Sequence, residues 1–134
     1  MTEININGNV VGEPVMVPTK SGVAMCSLRV AVNSRKFDKA TQIWLDGDTT
    51  FFNVTSWRGL AENVASCVKK GDPVVVVGKL RVREWTNEEK SGTSVEIEAA
   101  SIGHDLSRGS SEFTRVSRSE FDGLEGAAGI SHTG

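Results

Sequence analysis

The chain has 134 residues and a formal net charge of −2, long enough for one domain whose core needs neither disulfides nor metal. Residues 1–103 carry 12 Lys/Arg against 12 Asp/Glu, and residues 104–134 carry 3 against 5, so charge alone neither supports nor excludes a polyanionic partner. There is no signal-peptide pattern and no apolar run near ~20 residues, so secretion and membrane contact are not expected and the chain reads as cytoplasmic.

The first strand opens with Ile4 and Ile6 alternating with Asn5 and Asn7 and continues through Val10 and Val11. Gly12-Glu13-Pro14 interrupts it as a turn or bulge would, and a short arm follows at residues 15–17. The second strand spans about residues 23–34. Leu28, Val30 and Val32 point one way, and Arg29, Ala31, Asn33 and Arg35 the other. Residues 35–50 read as a long polar loop with two aromatics, Phe37 and Trp44, and a turn signal at Asp46-Gly47. In the third strand, Phe51, Asn53, Thr55 and Trp57 share a face opposite Phe52, Val54 and Ser56.

One helix follows. Leu60, Ala61, Val64, Ala65 and Val68 form one buried stripe, and Lys69-Lys70-Gly71 ends it with cations and a glycine stop. Residues 74–77 are all valine, which predicts a strand covered on both sides, and they lead into Lys-Leu-Arg-Val-Arg-Glu-Trp at 79–85. There Lys79, Arg81, Arg83 and Trp85 share one face, with Leu80 and Val82 turned inward. Residues 87–92 form a polar hairpin loop, and the last strand, residues 93–102, alternates around Val95 and Ile97.

Five strands with a helix between the third and fourth predict an all-β, five-stranded Greek-key barrel, the OB-fold, over residues 1–103. Residues 104–134 are rich in Ser, Gly and charge without periodicity, and read as a disordered tail. Cys26 and Cys67 lack CxxC spacing and the histidines, His104 and His132, fall in or near the tail, so neither a metal site nor a cofactor is expected. Cys26 shares parity with Leu28, Val30 and Val32 and reads as a small buried hydrophobe.

Three strands thus each combine an apolar face with a face of cations, polar groups and rings. Gathered on one curved sheet they make a cationic groove floored with aromatics, which suits phosphates and the exposed faces of unpaired bases. The balancing acids, Glu96 and Glu98 among them, are expected elsewhere. Bland alternatives stand beside each residue: Trp57 could pack under the helix that follows it, and Trp44 could fold back on its own domain. Arg29 and Arg35 could be solvated surface charges. No nucleophile, base or metal constellation appears, so the chain is not expected to be an enzyme. An OB-fold protein-interaction, oligosaccharide or RNA-binding module is the competing reading.

Asn-Gly-Asn-Val-Val-Gly-Glu-Pro at 7–14, Phe-Phe-Asn-Val-Thr-Ser-Trp-Arg-Gly-Leu-Ala-Glu-Asn-Val at 51–64, Lys-Lys-Gly-Asp at 69–72 and Gly-Lys-Leu-Arg-Val-Arg-Glu-Trp at 78–85 resemble the bacterial single-stranded DNA-binding protein family. The resemblance covers about residues 1–103. It implies an OB-fold, a homotetramer, and binding of single-stranded DNA with little sequence preference during replication, recombination, repair or chromosome maintenance at the nucleoid. Its stacking positions map onto Phe51, Trp57 and Trp85, with a further one near Phe37, for which Trp44 is a second candidate. The family commonly ends in an acidic run and an apolar tip, whereas this chain ends Gly-Ile-Ser-His-Thr-Gly. Glu120, Asp122 and Glu125 around Phe121 and Leu124 are a faint, non-terminal echo. The resemblance is therefore to a short-tailed paralogue, and it gives no support to tail-mediated recruitment of replication or repair proteins.

Overall fold

Alternation of apolar and polar side chains commits most of this chain to strands, and the partners those strands choose bend the sheet into a ring. A computed structural model describes residues 2–116, apart from the side chains of Lys36 and Asp46. The elements are β1 (Thr2–Val10), β2 (Val15–Met16), β3 (Met25–Asp38), β4 (Ile43–Trp57), α1 (Arg58–Cys67), β5 (Pro73–Thr86) and β6 (Ser91–His104). The strand order is β1-β5-β6-β4-β3-β2, and an additional β1–β3 pairing closes five of the strands into a barrel. β4 and β6 run parallel while the other ladders are antiparallel. This is the OB-fold, with its helix between the third and fourth barrel strands.

The barrel is filled by the inward set of every strand. Val30, Val74, Val76 and Ile97 are fully buried, Val54 nearly so, and Ala61, Val64 and Val68 close one end from α1. Each large aliphatic here contributes about 1.5–3 kcal/mol by leaving water. Cys26 belongs to this set, and burial pushes its thiol pKa up. Ser56 is the buried polar residue, and its hydroxyl donates to the Cys26 carbonyl at 3.4 Å.

Several expectations change. Residues 35–50 are not a loop: β3 and β4 continue as a two-stranded arm whose turn lies at residues 39–42. Asp38 builds that turn. Its carboxylate accepts from the Ala40 N–H at 3.1 Å and the Thr41 hydroxyl at 2.8 Å, and its carbonyl accepts from the Gln42 N–H at 2.7 Å. Asp46-Gly47 instead marks a bulge in β4, where the register shifts between Asn33 and Arg35. A Cβ on Gly47 would lie 2.5 Å from Ser34 Oγ, so the glycine is what lets the bulged strand pass its neighbour.

Helix α1 ends at Cys67, before the two lysines. Val68 turns extended and drops its side chain into the core, so Lys69 and Lys70 belong to the following turn, and Ala65 is exposed. The valine run is not covered on both sides: Val74 and Val76 are fully buried, but Val77 is 43% exposed on the outer wall. Val82 is likewise exposed, because the β5–β6 ladder projects beyond the barrel and leaves that face without a layer to pack on.

His104, which the sequence places at the start of the tail, is the last residue of β6. Its Nε2 lies 3.0 Å from Asp72 Oδ2. The turn beyond it is tied to β1, with Arg108 Nη1 donating to Asn9 Oδ1 at 2.9 Å and Asn7 Nδ2 to Asp105 Oδ2 at 3.5 Å. The Ser107 hydroxyl and backbone N–H, both donating to Asp105, hold its carboxyl below the ordinary value. Residues 109–116 form no regular element. The acidic echo at residues 120–125 lies outside the described residues.

Candidate nucleic-acid interface

Residues directly opposite each other on adjacent strands share a face, so the ladders give the surface row by row. One row runs Arg81–Glu96–Asn53–Arg29 across β5, β6, β4 and β3. The next runs Lys79–Glu98–Thr55–Ser27. Together these rows bring side chains distant in sequence onto the outer barrel wall. A groove of about 350 Å³ opens there, lined among others by Thr55, Trp57, Arg81 and Arg83.

The aromatics are presented as expected of stacking platforms. Trp57, at the end of β4, is 38% exposed, so it is a groove wall and not a prop beneath α1. Phe51 is 44% exposed, and the Arg29 guanidinium lies over its ring at 4.4 Å from the centroid. That contact occupies one ring face and leaves the other for a base. Trp85, 41% exposed, stands on the β5–β6 arm opposite Gly92.

The bulge has a consequence for Trp44. Alternation alone would put an even-numbered β4 residue on the opposite face from Phe51. The extra residue at the bulge reverses that parity, pairing Phe37 with Trp44 on the face that carries Arg29, Asn53 and Phe51. Their rings meet edge-on with centroids 5.3 Å apart, and both are about half exposed. Phe37 and Trp44 are therefore a pair, not alternatives. Arg35 is on the same β3 face and exposed.

The acids do not lie elsewhere as expected. Glu96 and Glu98 form a central column on β6, inside the groove, between the β5 cations and the β4 polar and aromatic column. Arg81 Nη2 reaches Glu98 Oε1 at 3.6 Å, and Arg83 Nη2 reaches Glu96 Oε1 at 3.6 Å. Lys79 sits between Glu3 on β1 and Glu98 on β6. Of the cations on this surface, the two arginines nearest the groove are already paired. The clue was in the sequence: the parity that turns Ile97 inward turns Glu96 and Glu98 outward, and a hairpin turning at 87–90 sets Glu96 opposite Arg81.

A closed barrel of this strand order, with rings and guanidinium groups along one outer groove, is an OB-fold of the kind that grips an extended oligonucleotide. The chain belongs to the single-strand binding protein family, whose model matches residues 1–105. It is 44% identical over 130 residues to "Single-stranded DNA-binding protein 2" of Streptomyces avermitilis, spanning 97% of this chain and 78% of that one. A protein of the same description from Tropheryma whipplei is 42% identical over 115 residues, covering 86% of this chain and 76% of the relative. Among solved structures, the small single-stranded DNA-binding protein of Streptomyces coelicolor superposes with a TM-score of 0.73 at 42% identity, covering 81% of this chain and 97% of its own. The second such protein of Mycobacterium smegmatis matches with a TM-score of 0.64 at 32% identity, covering 85% and 98%.

Proposed function

We propose that this protein binds single-stranded DNA with little sequence preference, bases stacking on Trp57, Trp85, Phe51 and the Phe37–Trp44 pair. Phosphates meet Arg29, Arg35, Lys79, Arg81 and Arg83, and Thr55 contributes a polar contact on the groove floor. The observation that carries this reading is the gathering of exposed rings and cations from four barrel strands onto one outer face. Rings stack on any base and guanidinium groups meet any phosphate, so the surface selects for unpaired strands more than for sequence. The role is binding and protection of strands exposed in replication, recombination and repair at the nucleoid, not catalysis.

Self-assembly into a homotetramer accompanies this reading. The β1–β3 ladder covers only Asn9 and Val10, so the β1 edge away from β5 carries no other strand among the described residues. Beside it, Asn5, Asn7 and Val77 present an exposed outer face. An open edge next to an exposed face favours pairing with a second copy.

Titration of intrinsic tryptophan emission with oligo(dT) at several salt concentrations, with mass followed by light scattering, tests both. Quenching should saturate, affinity should fall with salt at a log–log slope of about −0.7 per phosphate neutralised, and the mass should be four times that of one chain. Absence of quenching, or a salt-independent affinity, would remove the groove as a DNA site, and a monomer mass would remove the tetramer.

A further inference from the structure

The acidic column in the middle of the groove has no place in a simple phosphate-binding surface. Glu96 and Glu98 line the same groove as Trp57 and Thr55, and the other acid of the β6 hairpin region nearest in sequence, Glu89, lies out in the turn. Each carboxylate oxygen lies 3.6 Å from a guanidinium nitrogen, Glu96 with Arg83 and Glu98 with Arg81. Both pairs are diagonal: the residue directly opposite Arg81 on the ladder is Glu96, and that opposite Arg83 is Ser94. The side chains of Arg81 and Arg83 are 45% and 59% exposed, so solvent and other anions reach them freely.

We infer that Glu96 and Glu98 are affinity-limiting residues of the DNA site, competing with DNA phosphate for the guanidinium groups of Arg81 and Arg83. This rests on the single-strand-binding reading above. In the free protein each arginine has a carboxylate partner. A phosphate arriving on the groove exchanges with that carboxylate and does not meet a bare cation, so fewer counterions are released than the number of cations suggests. Exposed pairs at this separation are weak, so the exchange is easy in both directions. The groove holds a strand while leaving each contact readily reversible, as a protein that must yield the strand to other enzymes requires.

The test is Glu96→Gln/Glu98→Gln, which keeps side-chain shape and removes both charges. Oligo(dT) should bind about three- to tenfold more tightly at low salt, converging on the parent at high salt, with the slope magnitude rising by up to about 0.7 for each phosphate newly neutralised. Glu62→Gln, on the exposed surface of α1, controls for net charge and should change little. In an Arg81→Ala/Arg83→Ala background the same glutamine pair should gain much less, because no guanidinium is left to release.

An equal gain in that background would show plain repulsion of the phosphates and overturn the competition. Weaker binding by the glutamine pair would show that the carboxylates accept from base amino groups, which also overturns it, as would a gain matched by Glu62→Gln. Failure of the parent protein to bind oligo(dT) at all would fall on the single-strand-binding reading instead. A melting curve matching the parent establishes that the glutamine pair is folded, and each single variant should show part of the gain.

Discussion

The indole of Trp85 occupies the space that a side chain on Gly92, its cross-strand partner, would fill: a Cβ there would lie 2.6 Å from Cζ2 and 2.9 Å from Cε2. A ring laid over a glycine on the neighbouring strand is held flat and half exposed, the posture a stacking platform needs. Gly92 is therefore a positioning residue for Trp85. Gly92→Ala is expected to push the ring off the ladder and to weaken oligo(dT) binding by part of the ~1–3 kcal/mol that a base–aromatic stack is worth. Emission measured with Trp44→Phe and Trp57→Phe in place isolates Trp85 and should shift. Unchanged emission and affinity would show that the ring does not rest on Gly92.

The end of β6 yields a second prediction, this one on stability. His104 meets Asp72 at 3.0 Å, and Arg108 reaches back to Asn9 at 2.9 Å. A chain ending at residue 108 keeps these contacts, and it should match the full chain in melting temperature and in oligo(dT) affinity. A chain ending at residue 102 also lacks the Gly103–Val75 and His104–Val74 ladder positions. It should be less stable by about 1–2 kcal/mol, the sum expected for a few partly exposed hydrogen bonds. Equal melting curves for the two truncations would show that these contacts contribute nothing measurable.

The barrel was legible because a period of two marks inward residues wherever one layer covers another. Leu28, Val30, Val54, Val76 and Ile97 all went where alternation sends them. Alternation loses its meaning where the ladders leave the barrel. In the β3–β4 arm no core exists to impose it, so Ile43, Trp44 and Leu45 run together, all exposed, and resemble a loop. The bulge at Gly47 then inverts parity, which no count of odd and even positions reveals. The placement of Glu96 and Glu98 was hidden for a different reason. Net charge says nothing of which carboxylate faces which guanidinium, and that depends on hairpin register.

The two cysteines should differ sharply in reactivity. Cys26 is fully buried, and burial raises its thiol pKa above the ordinary value of 9.0, while Cys67 is exposed at the end of α1. Thiolate is the reactive form, so a disulfide-exchange reagent at about pH 8 should titrate one thiol per folded chain and a second only on unfolding. A folded pKa above the unfolded one means a stability contribution present below the unfolded pKa and lost as pH rises through the folded value. Stability should accordingly fall off above about pH 9 through this residue. Two thiols reacting at equal rates in the native protein would show that the barrel opens at Cys26 on that timescale.

Ring and cation can be separated on β5 itself, where Arg81, Arg83 and Trp85 follow one another on a single face. Trp85→Ala removes a stacking surface but no charge. Binding should weaken by about 1–3 kcal/mol at every salt concentration, with the salt slope nearly intact because stacking releases few counterions. Arg81→Ala/Arg83→Ala removes two phosphate partners and leaves Glu96 and Glu98 unpaired beside the strand. Binding should weaken most at low salt, and the slope magnitude should fall by about 0.7 for each phosphate no longer neutralised. The effect should be alike for oligo(dT) and oligo(dC), since phosphate contacts carry no base identity. An arginine variant with the parental slope would mean that phosphates do not run along β5, whatever the rings beside them bind.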